Sequence, residues 1–307
     1  MRWVYLAVPF SFTYFEWMGC FLMSKNKLIQ TSKMFKYETI FKCPICSGQM
    51  KIIDCKSLIC SKNHCFDIAK HGYVNLLSHS IKTKYSNSMF KARKTLFKSG
   101  FFEPLQERIS QLMFVKSEPL KVLDVGCGEG SHLARIHQKI GQKTNGFLGV
   151  GIDISKEGIQ IASKDYPDNI WCVADLVKCP FASKQFDVIL NILSPSNYLE
   201  FQRIIADDGM IVKVIPESGY LKELREIFYE KKIKSVYAND NTLELFRHSV
   251  NLLDIQNVRY TLDLNSTLLE YLINMTPLSW HATETSLQRI REMSSLEVTV
   301  DLTILLG

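Results

Sequence analysis

The chain has 307 residues, a formal net charge of +6 and an apolar fraction of 46%. That length and apolar share are ample for one large core plus something small. The positive balance is mild and hints at an anionic partner without requiring one, and the nine cysteines cluster in a way that argues for metal rather than disulfides.

Met1 to Met23 is aromatic and apolar, with Arg2 and Glu16 as its charges. Glu16 and Pro9 interrupt it, so no clean membrane span exists, and no small-residue cleavage site marks a signal peptide. Lys25 to Lys36 is polar and reads as linker. Residues 1–40 are therefore expected to be an N-terminal extension outside the fold, with Met23 and Met34 as alternative starts, and deletion up to Met34 is expected to leave folding intact.

Organisation begins near Phe41. Cys43-Pro44-Ile45-Cys46 is followed, after a hairpin-length gap, by Cys60-Ser61-Lys62-Asn63-His64. C-x2-C with C-x3-H is the spacing of a four-ligand structural zinc site, in which two tight knuckles present Cys43, Cys46, Cys60 and His64 to one Zn2+. Met50 to Asp54 and Ser57 to Ile59 read as its paired strands. Cys55 and Cys65 are left over, and Cys65 neighbours His64. Residues 41–77 are expected to form a zinc-binding RNA-recognition module, and a unit this small has little core of its own, so metal supplies the missing stability. Thiolate ligation implies a reducing, cytoplasmic compartment.

Residues 78–118 read as a basic helical linker. Lys82, Lys84, Lys91, Arg93, Lys94 and Lys98 occur with no acid among them. Ser88 to Lys98 has helical periodicity, with Met89, Ala92 and Leu96 on one side and the basic residues around the rest. With Tyr73, Tyr85 and Phe90 interleaved, the pattern predicts RNA contact. Neutralising Lys91, Arg93 and Lys94 is expected to weaken RNA binding and leave cofactor affinity alone. A second helix follows Phe102, running through Met113.

The main domain, 119–307, opens on Val122-Leu123-Asp124-Val125 followed by Gly126, Gly128 and Gly130: a buried strand, a glycine turn, then a helix from Ser131 to Ile140. Ser131 stands where a dinucleotide fingerprint wants its third glycine. Asp124 and Glu129 put carboxylates beside the turn, which suits a pyrophosphate poorly and a cationic ligand well. Phe147 to Ile152 reads as a second strand ending in Asp153, an acid placed to accept ribose hydroxyls. Ile170 to Val173 is a third, ending near Asp175. Phe186 to Leu190 is a fourth, and Asn191-Ile192-Leu193-Ser194-Pro195 follows at its end, where open α/β sheets bind substrates. Strands at Met210 to Ile215 and near Val258 and Val298 complete the sheet. The glycine turn and Asp153 look like motifs I and II of class I S-adenosylmethionine (SAM) methyltransferases, and Asp175 resembles motif III, whose acid accepts the adenine amino group.

The order of Cys43-Pro44-x-Cys46, Cys60-x3-His64, Phe66-Asp67-x-Ala69-Lys70-x-Gly72-Tyr73-Val74-Asn75-Leu76-Leu77, Val122 to Gly130 and Met275-Thr276-Pro277-Leu278-x-Trp280 resembles the RlmA family of 23S rRNA guanine-N1 methyltransferases. The Asn191 to Pro195 loop is similar to the Gram-positive branch, which includes tylosin (macrolide) resistance. The resemblance covers the chain from about Phe41. It implies a Rossmann-like α/β methyltransferase domain with an N-terminal zinc domain, SAM and one structural zinc as cofactors, and methyl transfer to N1 of a guanine in a 23S rRNA hairpin loop. By position it implies cofactor contact at Phe102, where relatives carry tyrosine, at His132 and Leu133, and at Tyr220, where relatives carry histidine. Asn191, Ser194 and Pro195 are expected to orient the guanine. No residue stands out as acceptor of the N1 proton, no membrane is involved, and monomer and homodimer both stay open. A small-molecule methyltransferase would need neither zinc module nor basic helix. An RNA-binding protein with a silent methyltransferase fold would not bind SAM.

Overall fold

In the computed structural model the described residues are 24–79, 81, 83–113, 119–142, 144, 146–229 and 239–307. The readings made above for Met1 to Met23, and Lys82, lie outside them.

The zinc module is a three-stranded antiparallel sheet, β1 (Met50–Ile53), β2 (Ser57–Cys60) and β3 (Cys65–Asp67). Asp54 and Cys55, both at positive φ, turn the first hairpin. The chain then gives a short strand, β4 (Val74–Asn75), to a different sheet.

That sheet has eight strands in the order β4, β7 (Ile170–Val173), β6 (Phe147–Asp153), β5 (Leu120–Val125), β8 (Phe186–Ile192), β9 (Ile205–Pro216), β11 (Ser295–Leu306), β10 (Asp254–Asn265). β11 pairs antiparallel to both neighbours, and the remaining pairs are parallel. The central strands are buried end to end, as sheets covered on both faces require. Strand order reverses at β5, so β6 and β8 diverge there and open a crevice at their carboxyl ends.

Two apolar clusters flank the sheet. One takes in Phe101, Phe102, Leu105 and Ile109 with Trp171. The other joins Phe41, Met50, Leu58 and Phe66 of the zinc module to Leu123, Phe181 and Phe186 of the sheet. Phe41 and Phe181 rings lie 5.9 Å apart, and the Lys42 N–H donates to the Pro180 carbonyl at 2.9 Å. The zinc module thus shares its core with the methyltransferase domain.

Lys25 to Lys36 is not a linker but a helix, α1 (Lys25–Lys36). The Ser24 hydroxyl caps it, and Gln30, Thr31 and Met34 form its buried stripe. Gln30 Nε2 donates to the carbonyls of His71 and Ser163, each at 3.0 Å, and Asn26 Nδ2 to Lys164 O at 2.8 Å. α1 therefore ties the tail of the zinc module to the last turn of α5 (Lys156–Asp165). Its polar residues, which read as solvated, bond main-chain carbonyls that secondary structure leaves open.

The described residues of 78–118 also belong to the fold. α2 (Asn87–Lys98) buries Met89, Phe90, Ala92 and Leu96, and α3 (Glu103–Leu112) buries Leu105, Gln106 and Ile109. α2 packs on α9 (Ser266–Met275). Lys91 and Lys98 are exposed, but Lys94 pairs with Asp165 at 2.5 Å and Arg93 turns inward. The solvated basic face is thus smaller than the sequence pattern suggests.

Candidate active site

The zinc ligand set is assembled. Ligand atoms of Cys43, Cys46, Cys60 and His64 all lie within 4.8 Å of one another. Cys46 and Cys60 sulfurs are 3.6 Å apart, and His64 Nδ1 is 3.5 Å from Cys43 Sγ and 3.3 Å from Cys60 Sγ. A tetrahedral zinc with Zn–S near 2.3 Å has S–S edges of about 3.8 Å, so the cluster fits that ion. Each knuckle is closed by its own backbone. The Ser47 N–H donates to Cys43 O at 2.8 Å, and the Asn63 N–H to Cys60 O at 2.9 Å, with Ser47 and Asn63 in the left-handed region. Burial opposes ionisation of Cys60, but backbone N–H groups of His64 and Lys62 bring its thiol down to about 6, favouring a thiolate ligand. Cys65 is exposed and Cys55 sits in the hairpin turn; neither joins the cluster.

The crevice at the switch point is a cavity of about 1230 Å3. It exceeds the roughly 300–1,000 Å3 of a one-ligand pocket, leaving room for a nucleobase beside a cofactor. Of the residues singled out from sequence, Phe102, Gly126, Gly128, Asp153, Asp175, Ser194, Pro195 and Tyr220 line it. Asp124, Gly130, Asn191, His132 and Leu133 stand behind its wall.

The three glycines do different jobs, although all have positive φ. A Cβ on Gly130 would lie 2.5 Å from the Trp171 ring, and one on Gly126 would lie 2.6 Å from Ser194; both are required by packing within the protein. A Cβ on Gly128 would come no nearer than 3.4 Å to Phe90 and would project at the cavity wall. Gly128 is thus the position that a ligand approaches.

Asp153 holds that turn. Its Oδ2 accepts from the Gly128 N–H at 2.8 Å, and its Oδ1 from the Ser155 N–H at 2.7 Å. Each oxygen keeps a second lone pair for a ligand hydroxyl. Asp175 Oδ1 accepts from Val177 N–H at 2.9 Å. Tyr220, with its phenol pushed up to about 12 by burial, is a hydrogen-bond donor and no base at neutral pH.

His132 and Leu133, expected at the cofactor, lie in the core instead, 1% and 0% exposed. His132 packs against the rings of Phe97 and Phe102 at 5.3 and 5.0 Å, and burial keeps it neutral. Both sit in the first turn of α4 (Ser131–Ile140) and neither lines the cavity, where Phe102 forms the wall.

Asn191, expected to orient the substrate, is fully buried. Its Nδ2 has acceptors in Val125 O at 3.3 Å, Ser194 Oγ at 2.6 Å and Pro195 O at 2.9 Å. Its Oδ1 accepts from Ser196 at 2.9 Å and from Lys213 Nζ at 2.6 Å. The amide is consumed in shaping the loop that carries Ser194 and Pro195. Lys213, which also donates to Ser194 O at 2.5 Å, completes that loop and escaped sequence reasoning. Burial lowers its ammonium to about 8. A single lysine inside the apolar run Met210 to Ile215 was the available signal.

Behind the glycine turn lie three carboxyl groups, Asp124, Glu129 and Asp153, all held above their usual range by burial. Asp124 Oδ2 and both oxygens of Glu129 are buried without a hydrogen-bond partner among the described residues. One guanidinium faces them, that of Arg93, its Nε 3.2 Å from Glu129 Oε2. Buried acid beside the glycine turn suits a ligand with a sulfonium and an ammonium, so the residues there fit SAM.

A zinc-ribbon family model described as "RlmA, N-terminal" matches residues 41–86, and a methyltransferase-domain model matches residues 122–207. YxjB of Bacillus subtilis (strain 168), named as a candidate 23S rRNA (guanine-N1)-methyltransferase, is 42% identical over 274 residues, 88% of this chain and 97% of its own. The chain belongs to the RlmA family. A further RlmA-type relative, the 23S rRNA (guanine(748)-N1)-methyltransferase of Streptomyces fradiae, is 30% identical over 269 residues, covering 85% of this chain and 94% of that protein. A SAM-dependent methyltransferase structure from Aquifex aeolicus covers 56% of this chain and 92% of its own at a TM-score of 0.44 and 17% identity. Membership agrees with the strand order found here and with the Cys3His knuckles. As an RlmA-family protein the chain is a class I SAM-dependent methyltransferase with a zinc ribbon. Among the described residues no helix is long and apolar enough to cross a membrane.

Proposed function

We propose that this chain transfers a methyl group from SAM to N1 of a guanine in a 23S rRNA hairpin loop. The observation that carries this reading is the single cavity shared by the glycine turn and the Asn191 to Pro195 loop, in a protein whose zinc ribbon is fused to the same core. SAM supplies the methyl group on a sulfonium. When bound, it would offer that carbon to guanine N1, with the C–S electron pair leaving on sulfur and the N1 proton passing to solvent or a cavity group. The chain's own part is positional. Asp153 and Asp175 hold the adenosine end, and Ser194 and Pro195 present a wall to the base. Four protein ligands fill the zinc shell, so the metal acts on structure alone.

N1 is reachable only in an unpaired or extruded base, and the cavity mouth offers a place for such RNA. Tyr85 and Trp280, 39% and 40% exposed, meet at 5.8 Å between ring centroids, and Lys84 lies over the Trp280 ring at 5.8 Å. Aromatic faces with a nearby cation stack bases beside a phosphate. This rim keeps Lys84 and Tyr85 of the basic-aromatic run in the RNA-gripping role and leaves Arg93 out of it. Trp280→Ala is expected to raise the Michaelis constant for RNA about 5- to 100-fold, the worth of one stacked base, with SAM affinity unchanged. Equal RNA kinetics in variant and wild type would remove the rim from the reading.

The activity itself is tested by incubating the protein and SAM with rRNA from a deletion strain. Methylation of N1 blocks Watson–Crick pairing, so a reverse-transcription stop should appear at one guanine. Absence of that stop, with methyl transfer to a small-molecule panel instead, overturns the rRNA assignment. The reading places the enzyme in the reducing cytoplasm, where its thiolates stay free for zinc. A homodimer is the finer proposal, and sedimentation equilibrium decides it. Lower macrolide sensitivity on expression is the cellular readout that the Gram-positive branch suggests.

A further inference from the structure

Arg93 sits in the middle of α2, outside the sheet domain's own motifs, yet it reaches the glycine turn. Its Nε lies 3.2 Å from Glu129 Oε2, and its Nη1 is 3.6 Å from where a Cβ on Gly128 would stand. It lines the cavity. Glu129, 0% exposed, is behind it. The ion pair engages the guanidinium at Nε, which is buried and has no hydrogen-bond partner among the described residues, and it leaves the two terminal amino groups at the cavity. These two donors form the fork that binds a carboxylate through two parallel bonds.

Two roles are open to a guanidinium so placed. It could serve only as counter-ion to Glu129. That role needs one contact and leaves the fork unused at a ligand surface. The second role gives the fork a carboxylate. A phosphate is the wrong partner, because Glu129 already pairs with the arginine and Asp153 stands on the same turn, so a multiply charged anion would meet acid there. A zwitterion suits the same field, its carboxylate on the arginine and its ammonium toward the acids.

We infer that Arg93 binds the α-carboxylate of the cofactor's amino-acid end, with Glu129 aligning the guanidinium from behind. The inference rests on the SAM-dependent reading above and adds to it a recognition residue from the segment between the zinc ribbon and the methyltransferase motifs. It reverses the expectation that Arg93 could be neutralised without consequence for the cofactor.

Calorimetric titration of the full chain with SAM and with decarboxylated SAM tests this. Decarboxylated SAM keeps adenosine and sulfonium and lacks the carboxylate. The wild type is expected to prefer SAM by roughly 10- to 100-fold, the worth of a charge-assisted pair. In Arg93→Met that preference should collapse to within about 3-fold, chiefly through lost SAM affinity, and Arg93→Lys should keep an intermediate preference. A purely structural Arg93 would weaken both ligands together and leave the ratio intact, which overturns the inference. A wild-type ratio near one overturns it as well, and needs no variant to fold. Failure of the wild type to bind either ligand would instead count against the methyltransferase reading.

Discussion

At the scale of single residues, the site is governed by buried charge. Asp124 is 1% exposed, and its carboxyl is pushed up to about 7 by burial, with Asp153 and Glu129 adding to the shift and Arg93 opposing it. The ordinary value is 3.8. A raised native value means that the folded protein keeps a proton that the unfolded chain has released. Stability of the cofactor-free protein should therefore fall as pH rises from about 4 to about 7, then level off, by an amount on the order of a few kcal/mol. Asp124→Asn cannot ionise, so its stability relative to wild type should improve across that window. Thermal melts of both proteins from pH 4 to pH 8 check this, and a constant difference would sink the idea. Asp124 was legible as a motif acid, but its depth was not. Pattern tells which residue follows a strand and not how much protein closes over it. Arg93 and Lys213 were misread or missed for the same reason. In a linear sequence, a buried cation and a solvated one look alike.

At the scale of elements, the strands and the helix after the glycine turn agreed with the hydrophobic pattern, because their buried faces are set by local periodicity. The predicted helix from Ser131 to Ile140 has those bounds in the structure. α1 did not follow from the pattern, because its role is to satisfy carbonyls far away in sequence. Gln30 reaches His71 and Ser163, and a Cβ on Gly72 would lie 2.8 Å from the Gln30 side chain. Gln30→Ala would strip the His71 carbonyl of its side-chain donor, leave the Ser163 carbonyl with only the longer 3.4 Å bond from Asn26 Nδ2, and open a void between the zinc module's tail and α5. A loss of about 2–3 kcal/mol is expected in urea unfolding. Removal of residues 1–33 should cost more, contrary to the expectation from composition. An unchanged midpoint after that truncation would restore α1 to the status of an appendage.

At the scale of the whole molecule, zinc ribbon and methyltransferase sheet form one body with a common core, so their stabilities are joined. Chelation, or Cys60→Ala, should release one zinc per chain, measured by atomic absorption, and lower the melting temperature of the entire protein. An independent ribbon would give a separate early transition and leave the main one in place. The class, the metal site and the position of the cavity were legible because each depends on a short motif. The shared core was not, since its contacts join Phe41 to Phe181 and Val74 to Cys172 across long separations that no local spacing records. The β4–β7 pairing carries a further consequence. β7, Ile170-Trp171-Cys172-Val173, is wholly buried and uncharged, and β4 occupies what would otherwise be its open flank. With the ribbon unfolded, the backbone of Cys172 and Val173 that β4 now pairs would be offered to another copy. Metal starvation should thus be felt first as self-association, with thioflavin fluorescence rising before activity is titrated away. In that sense the zinc ion guards the protein against its own kind.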